Sequence, residues 1–255
     1  MRLPAGLILC AACARALHEP RPIEAIAPVP QASAEQLLAG AAEAWQRRGE
    51  PDQARKAEDL YLMSARAGAG AEAFAGAIRA KAFRIGREKD GGERTRLAES
   101  AVQAGQLCEE RAPADAACDY WLAAALGLQA RERTATAKDG LARMNDLLRR
   151  AARNDPALDH GGPHRLLAIV LLRAPSWPLG PGDPQAALPE AQAAVRIDPA
   201  YPPNQLALGE ALKKNGQEEE AKAAWSLALR LATGPQAGGD PDAPGWADDA
   251  RAALR

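Results

Sequence analysis

The chain has 255 residues, and its 32 basic and 33 acidic residues leave a formal net charge of −1. Because no long run of either sign stands out, this balance argues against a nucleic-acid-binding protein. Hydrophobic residues make up 47% of the chain but aromatic residues only 4%, which suits closely packed helices and suits β-sheets poorly. About ten helix-sized segments, separated by short Gly, Pro and Asp turns, favour an all-α helical-hairpin solenoid over one globular domain.

Residues 1–13 have the pattern of an export signal, with an apolar stretch that is too short to span a bilayer as a helix. Cys13 follows two alanines, and this arrangement resembles the lipobox of bacterial lipoproteins. The resemblance implies that a diacylglycerol is attached to Cys13 and that cleavage leaves it as the new amino terminus. Cys10 is the alternative acceptor, and an ordinary cleaved signal or a short buried segment is the alternative to a lipoprotein signal.

The segment after Cys13 predicts where the protein is anchored. Two or three acyl chains anchor a protein stably where one does not. The residue after Cys13 is Ala14 and not an aspartate, and for this reason the resemblance implies the periplasmic face of the outer membrane. Residues 14–32 carry four prolines that rule out a continuous helix, so we expect a Pro-rich tether. Residues 33–255 form the predicted helical repeat domain.

Two helical patterns in the first half of the domain are each followed by a small-large-small stripe. Helix Ser33–Arg48 precedes one stripe and helix Ala71–Glu88 precedes the other. Their spacing is about 40 residues, so chance alignment in an alanine-rich chain is the alternative to a repeat. The stripes consist of Ala57, Tyr61 and Ser64, and of Ala98, Val102 and Gly105.

Cys108 and Cys118 flank a predicted turn between two helices. An exported protein meets an oxidising compartment, and ten residues across a helix–turn–helix can bring the two cysteines within bridging distance. We therefore predict a disulfide between them. Two small buried thiols are the alternative. Tyr120 and Trp121 follow on the next helix, where neighbours point about 100° apart, so one packs while the other faces a groove.

Gly162 and Pro163 have the chemistry of a helix start. His164 and Arg165 then lie in the first turn, where unpaired N–H groups favour an anion, and His160 would complete such a site. A structural loop is the alternative. Two histidines without a clear third ligand do not predict a zinc site.

Residues 208–229 predict a helical hairpin whose turn lies at Gly216. Sliding the sequence back by 34 positions, the period of a tetratricopeptide repeat, places Ala221 on Ala187 and Ala228 on Ala194. Small residues let the two helices approach closely, and one large residue fills the remaining space. The residues that fit the repeat are Leu208, Gly209, Leu212, Gly216, Ala221, Trp225 and Ala228.

Three polar residues of the last repeat, Asn204, Glu210 and Lys213, are candidates for the groove. Trp177, between prolines of the 174–184 loop, is interpreted as a plug over the last two repeats, and an exposed contact is the alternative. A short helix from about Trp246 has the apolar stripe of a terminal cap.

Residues 154–208, together with Tyr120, Trp121 and the repeat skeleton, resemble the T component of tripartite ATP-independent periplasmic (TRAP) transporters, the TatT-like lipoproteins. The resemblance rests on the Gly-Gly-Pro helix start, the loop ending in Gly-Asp and the repeats. It implies an accessory that binds a periplasmic solute-binding protein and an elongated apolar ligand. The predicted contact residues are Tyr120, Trp121, His164, Arg165, Asn204, Glu210 and Lys213.

We therefore expect a binding protein with no catalytic residue, cofactor or metal. The alternative within that class is a protein–protein interaction scaffold in envelope assembly or secretion. A hydrolase using Asp159, His160 and His164 is the alternative from another class, and it requires the three side chains to converge within hydrogen-bond reach.

Overall fold

The structure is a computed structural model that describes residues 32–133 and 137–255. The predicted signal, its acceptor Cys13 and all but the last residue of the predicted tether lie outside the described residues. No helix within the described ranges is long and apolar enough to cross a membrane.

Eleven α-helices form the described part of the chain, and the first ten pair in sequence as five helical hairpins. The predicted all-α solenoid with a C-terminal capping helix is confirmed. The helices are α1 (Ala34–Gln46), α2 (Gln53–Arg66), α3 (Ala71–Ile85), α4 (Gly91–Arg111), α5 (Ala116–Glu132), α6 (Ala137–Asn154), α7 (Leu158–Arg173), α8 (Pro184–Ile197), α9 (Pro202–Lys214), α10 (Glu218–Thr233) and α11 (Ala243–Ala253).

Polar side chains begin several of these helices by accepting hydrogen bonds from N–H groups that have no partner inside the helix. The Ser33 hydroxyl accepts from the Gln36 N–H at 3.2 Å, while the Gln36 side chain accepts from the Ser33 N–H at 2.9 Å. Asp90 and Asp115 cap α4 and α5 in a similar way. The turn between α9 and α10 is made by Gly216 at φ +79°, a left-handed conformation that glycine adopts without strain.

The repeat predicted at the C-terminal end packs as its spacing requires. Ala221, Ala224, Trp225 and Ala228 are all buried, as are their upstream counterparts Ala187 and Ala194. A Cβ added to Gly209 would lie 2.2 Å from the Trp225 indole nitrogen, so glycine is needed for this close approach. The upstream stripe residues are buried too, namely Ala57, Tyr61, Ser64, Ala98, Val102 and Gly105.

The first helices of the second to fifth hairpins form the layer of the solenoid that is least accessible to solvent. Successive first helices contact one another, α3 with α5, α5 with α7 and α7 with α9. No residue in 73–85, 115–130, 161–172 or 201–212 is exposed. Each of these helices is therefore covered by its hairpin partner and by neighbouring repeats, as nearest-neighbour packing in a solenoid requires.

Cys108 at the end of α4 and Cys118 at the start of α5 are joined by a disulfide, with their Cα atoms 5.3 Å apart. Both residues belong to the main apolar core. The bond links the second hairpin to the third.

Helix α11 covers the end of the last hairpin. Its Ala243, Ala247 and Ala250 are buried, and Leu254 packs on the cluster that contains Trp225. The terminal stripe read from the sequence therefore closes the apolar face of the fifth hairpin, and the helix begins three residues before Trp246.

Candidate functional site

The junction between the third, fourth and fifth hairpins is built around an unusual entry to α7. Asp159, His160 and Gly161 are consecutive left-handed residues, with φ of 49°, 60° and 79°. This conformation is costly for residues other than glycine, so the surroundings must hold it in place. A Cβ on Gly161 would lie 3.2 Å from the backbone of Ala194, and one on Gly162 would lie 2.6 Å from the Tyr120 ring.

Arg165 stabilises this entry from the first turns of α7. It is 9% exposed, and its Nη2 donates to the Asp159 carboxylate at 2.8 Å and to the Tyr120 hydroxyl at 3.3 Å. Its Nη1 donates to the Asn204 side-chain oxygen at 3.0 Å and to the Asp159 carbonyl at 3.1 Å. The Tyr120 hydroxyl in turn donates to Asp159 at 2.5 Å.

Asn204 is the second organising residue of the junction. Its side chain is fully buried, and the amide nitrogen lies 2.9–3.0 Å from the carbonyl oxygens of His160, Ala194 and Asp198. The predicted groove position of Asn204 is therefore wrong. The His160 carbonyl belongs to the left-handed turn, and the Ala194 and Asp198 carbonyls lie at the end of α8, so the amide joins these two irregular stretches of backbone and satisfies their carbonyl groups.

Burial keeps two tyrosines of the junction, Tyr120 and Tyr201, protonated. Burial raises the pKa of Tyr120 well above its usual range, although Arg165 acts in the opposite direction. Burial likewise raises the pKa of Tyr201, to about 12. For Arg165, burial acts to lower the pKa, but its partners, among them the charged Asp159 carboxylate, outweigh it and the net pKa is raised. The guanidinium therefore stays charged.

The two histidines of the predicted anion site bind carboxylates of the protein instead. His160 Nδ1 lies 2.7 Å from Asp198 Oδ2, and His164 Nδ1 lies 2.6 Å from Glu190 Oε2. Because Arg165 is committed to Asp159, the structure does not bring the three groups together around an anion. Asp159, His160 and His164 each have a different partner, so the convergence that a hydrolase would require is not observed.

The remaining predicted contact residues are dispersed. Trp121 is half-buried, with its ring edge-on to Tyr120 at 4.9 Å, so Tyr120 is the member of the pair that packs. Arg173 donates two hydrogen bonds to Glu210, at 3.0 and 2.7 Å. The Lys213 ammonium lies 5.5 Å from the Trp225 ring centroid, and this lysine is exposed.

The loop between α7 and α8 presents apolar side chains to solvent. Trp177 is 87% exposed and Leu179 is 62% exposed, so the interpretation of Trp177 as a plug is wrong. The base of the loop is fixed, because the Gly182 N–H donates to the Pro175 carbonyl at 2.9 Å and the Asp183 N–H to the Leu171 carbonyl at 2.8 Å. These hydrogen bonds tie together the two ends of the loop, and Trp177 lies between them.

Two open clefts lie on the surface of the described region. One, of about 570 Å³, lies between α10 and α11, and the other, of about 550 Å³, lies beside Arg48 and Arg87. Neither cleft encloses a space for the elongated apolar ligand that the transporter resemblance implies. Within residues 32–133 and 137–255 there is no group of three His, Cys, Asp or Glu residues that could hold a metal ion.

The fold is a tetratricopeptide-like helical solenoid. A thermophilic tetratricopeptide-repeat protein of Thermus thermophilus, TTC0263, has a similar crystal structure, with a TM-score of 0.61 over 86% of this chain and 100% of that chain. The two sequences are 19% identical, so this similarity shows the shared fold. No family model and no curated protein matches the chain.

Proposed function

We propose that the protein is a non-enzymatic scaffold that binds a protein partner through the exposed loop at Trp177 and Leu179. This loop carries the proposal because it displays two large apolar side chains on a backbone that is already fixed. Burying such a side chain contributes about 1.5–3 kcal/mol. A fixed loop also loses less conformational entropy when it binds, and tryptophan is enriched among the residues that dominate interface energies.

The chemistry of the loop favours a protein with an apolar pocket as the partner. Residues 174–182 contain no charged side chain. Lysines or arginines at this position would favour an anionic membrane surface, but the nearest cation along the chain, Arg173, is paired with Glu210.

The finer proposal is that the partner is a periplasmic solute-binding protein and that the scaffold is an accessory of a TRAP-type transporter. It is supported by the sequence resemblance given above. The proposed location is the periplasmic face of the outer membrane, with Cys13 as the lipid anchor. Replacing Cys13 with serine should abolish metabolic labelling by an acyl-chain analogue and release the protein from the membrane fraction; unchanged labelling would contradict this anchor.

The partner can be captured by placing a photo-crosslinking amino acid at position 177 in cells that produce the protein. We expect one dominant crosslinked protein from position 177 and none from position 222, an exposed site on α10 that serves as the matched control. Trp177→Ala combined with Leu179→Ala should reduce co-purification of that protein at least tenfold. If position 177 gives no crosslink above the control, the loop is not the binding surface.

The identity of the crosslinked protein separates the two forms of the proposal. A solute-binding protein would support the transporter accessory. An envelope-assembly or secretion protein would support the general scaffold. Native mass spectrometry of the purified chain tests the apolar ligand, because a retained lipid-like molecule would appear as a fixed mass increment.

A further inference from the structure

The first and last parts of the solenoid meet at a cluster of arginines and aromatic rings. Trp45 and Arg48 lie at the end of α1, and Phe83 and Arg87 lie at the end of α3. We call these four residues the cradle. The Trp45 and Phe83 rings meet edge to face at 5.8 Å. The Arg48 guanidinium lies 4.7 Å from the Trp45 centroid, and that of Arg87 lies 3.5 Å from the Phe83 centroid. Each ring therefore attracts the guanidinium that lies over it.

Three residues just before α11 occupy the cradle. Arg48 Nη2 donates to Asp240 at 2.7 Å and to Asp242 at 3.3 Å. Arg87 Nη2 donates to Asp242 at 3.1 Å and to the Pro241 carbonyl at 2.7 Å. The segment Asp240-Pro241-Asp242 is therefore bound as an acidic peptide would be, although it lies more than 150 positions away in the same chain.

This internal contact does not satisfy the cradle fully. The Arg48 side chain is only 12% exposed, and its buried Nε has no hydrogen-bond partner. A carboxylate placed to accept from both Nε and Nη2 would make the bidentate contact that Arg48 lacks here. The two aspartates are about one-third exposed, at 35% and 30%. Partly exposed ion pairs of this kind are individually weak.

Space for a longer peptide lies beside the internal segment. The open cleft of about 550 Å³ is lined by Arg48, Phe83, Arg87 and Pro241 and also by Arg55 and Arg84. On the other side, Gly238 and Gly239 precede the acidic residues, with Gly239 at φ +86°. These glycines permit backbone changes before Asp240. After it the backbone is held, because the Asp242 carbonyl accepts from the Trp246 N–H of α11 at 3.2 Å, so an external carboxylate would displace the two aspartate side chains and not the backbone.

We propose that the cradle is a docking site for a short acidic segment of a partner protein, and that Asp240-Pro241-Asp242 occupies it as an internal competitor. The proposal deepens the partner-binding function and rests on it. Because a tethered segment has an effective concentration of about millimolar, an external peptide binds well only when the internal one is weakened.

The test uses the full chain and a fluorescent peptide with the sequence of residues 237–244, AGGDPDAP, followed by fluorescence anisotropy. Asp240→Asn with Asp242→Asn should raise the affinity for this peptide at least tenfold over the wild-type chain. The matched control is Asp248→Asn with Asp249→Asn, which removes the same charge from exposed positions on α11 and should leave the affinity unchanged. Adding Arg48→Gln and Arg87→Gln to the opened variant should abolish binding.

Several outcomes overturn the proposal. Equal binding of AGGDPDAP and its neutral form AGGNPNAP would do so, as would an opened variant that binds no better than the wild type. Dimerisation of the wild-type chain that is lost with Arg48→Gln and Arg87→Gln would assign the cradle to a second copy instead. If the opened variant fails to fold, the wild-type chain supplies the measurement, since peptide at millimolar concentration should bind it and the neutral peptide should not.

Failure of the cradle and failure of the proposed function are distinguishable. Crosslinking at Trp177 reports on a partner whatever occupies the cradle. A partner captured there, together with absent peptide binding, would reject the cradle as a docking site and leave the scaffold function standing.

Discussion

Each half of the solenoid buries a charged cluster between neighbouring repeats, and the two clusters differ in what surrounds the charges. In the N-terminal half, Glu58 of α2 accepts from Lys81 and Arg84 of α3, and the contact joins two regular helices. In the C-terminal half, Arg165 and Asp159 also bind hydroxyl, amide and backbone groups around an irregular turn.

This difference teaches that similar buried charges can have different roles. A salt bridge between two helices can be replaced by apolar side chains of similar volume, often without loss of stability. A cluster that also satisfies the backbone of a left-handed turn cannot be replaced in this way, because the freed carbonyl groups would stay buried and unpaired. We therefore expect the first cluster to be exchangeable and the second to specify the conformation of the chain.

The largest effect is expected at Arg165. Replacing it with leucine leaves the Asp159 carboxylate without its cation, which should lower the free energy of unfolding by about 3–5 kcal/mol in urea titrations. Arg173→Leu is the matched control. It breaks a largely exposed pair with Glu210 and should cost no more than about 1 kcal/mol. Equal losses from the two variants would contradict the role assigned to the junction.

The N-terminal cluster tests the other side of the comparison. Glu58→Met alone leaves Lys81 buried with a side-chain exposure of 3%, and it should cost about 3 kcal/mol or more. Adding Lys81→Met should return the free energy of unfolding to within about 1 kcal/mol of the wild type. In the C-terminal cluster, adding Asp159→Ala to Arg165→Leu should recover little of the free energy of unfolding that Arg165→Leu loses. Similar recovery in both halves would remove the distinction.

The disulfide joins the second and third hairpins, between the two clusters. Closing a loop of ten residues should contribute about 2–3 kcal/mol. Cys108→Ala with Cys118→Ala should therefore lower the free energy of unfolding by that amount. A reducing agent should destabilise the wild type similarly and leave the double variant unaffected. Insensitivity of the wild type to reduction would show that the thiols are free.

Glycine-to-alanine substitutions compare the packing of the two halves. Gly76 approaches Tyr61 in the N-terminal half, and Gly209 approaches Trp225 in the C-terminal half, with an added Cβ 2.4 and 2.2 Å from the ring atoms. Either substitution should cost about 1–3 kcal/mol through overpacking. Gly40→Ala is the control, because its nearest neighbour would be Leu60 at 3.6 Å. It should stabilise the protein by about 0.5–1 kcal/mol through helix propensity. A neutral result at Gly76 alone would show that the N-terminal packing is the more adaptable.

The sequence predicts the packing of the repeats well, because helical periodicity records which face of each helix is covered. Trp225 and Gly209 are an example, since one large and one small residue at repeat positions imply close contact. The irregular turn at Asp159 and His160 was not predicted, because Asp and His, although enriched among left-handed residues, adopt other conformations far more often. Their conformation depends on Asn204, which lies 44 positions beyond His160.

Contacts between the two ends of the chain were not predicted either. Arg48 and Asp240 are 192 positions apart, and no local pattern links them. Exposure of Trp177 was the alternative to the preferred plug, and the plug was preferred for a related reason. Large aromatic residues are usually buried, and the hydrogen bonds that tie the ends of this loop together connect backbone groups of Pro175, Gly182 and Leu171, which leave no side-chain signature.

The last predicted effect appears only at alkaline pH, and it belongs to the C-terminal cluster. Tyr201 stacks on His160 at 4.3 Å, and burial raises its pKa to about 12. In the unfolded chain a tyrosine ionises at about pH 10. Between these two values the unfolded chain releases a proton that the folded chain keeps, so stability is full below pH 10 and is lost as the pH rises toward 12. The slope from this residue is about 1.4 kcal/mol per pH unit at most. Tyr201→Phe keeps the ring and removes the titration, so urea unfolding between pH 9 and 11.5 should show a shallower decline for the variant. If the free energy of unfolding declines equally with pH in the wild type and the variant, the pKa of Tyr201 is the same in the folded and the unfolded chain, which would contradict this prediction.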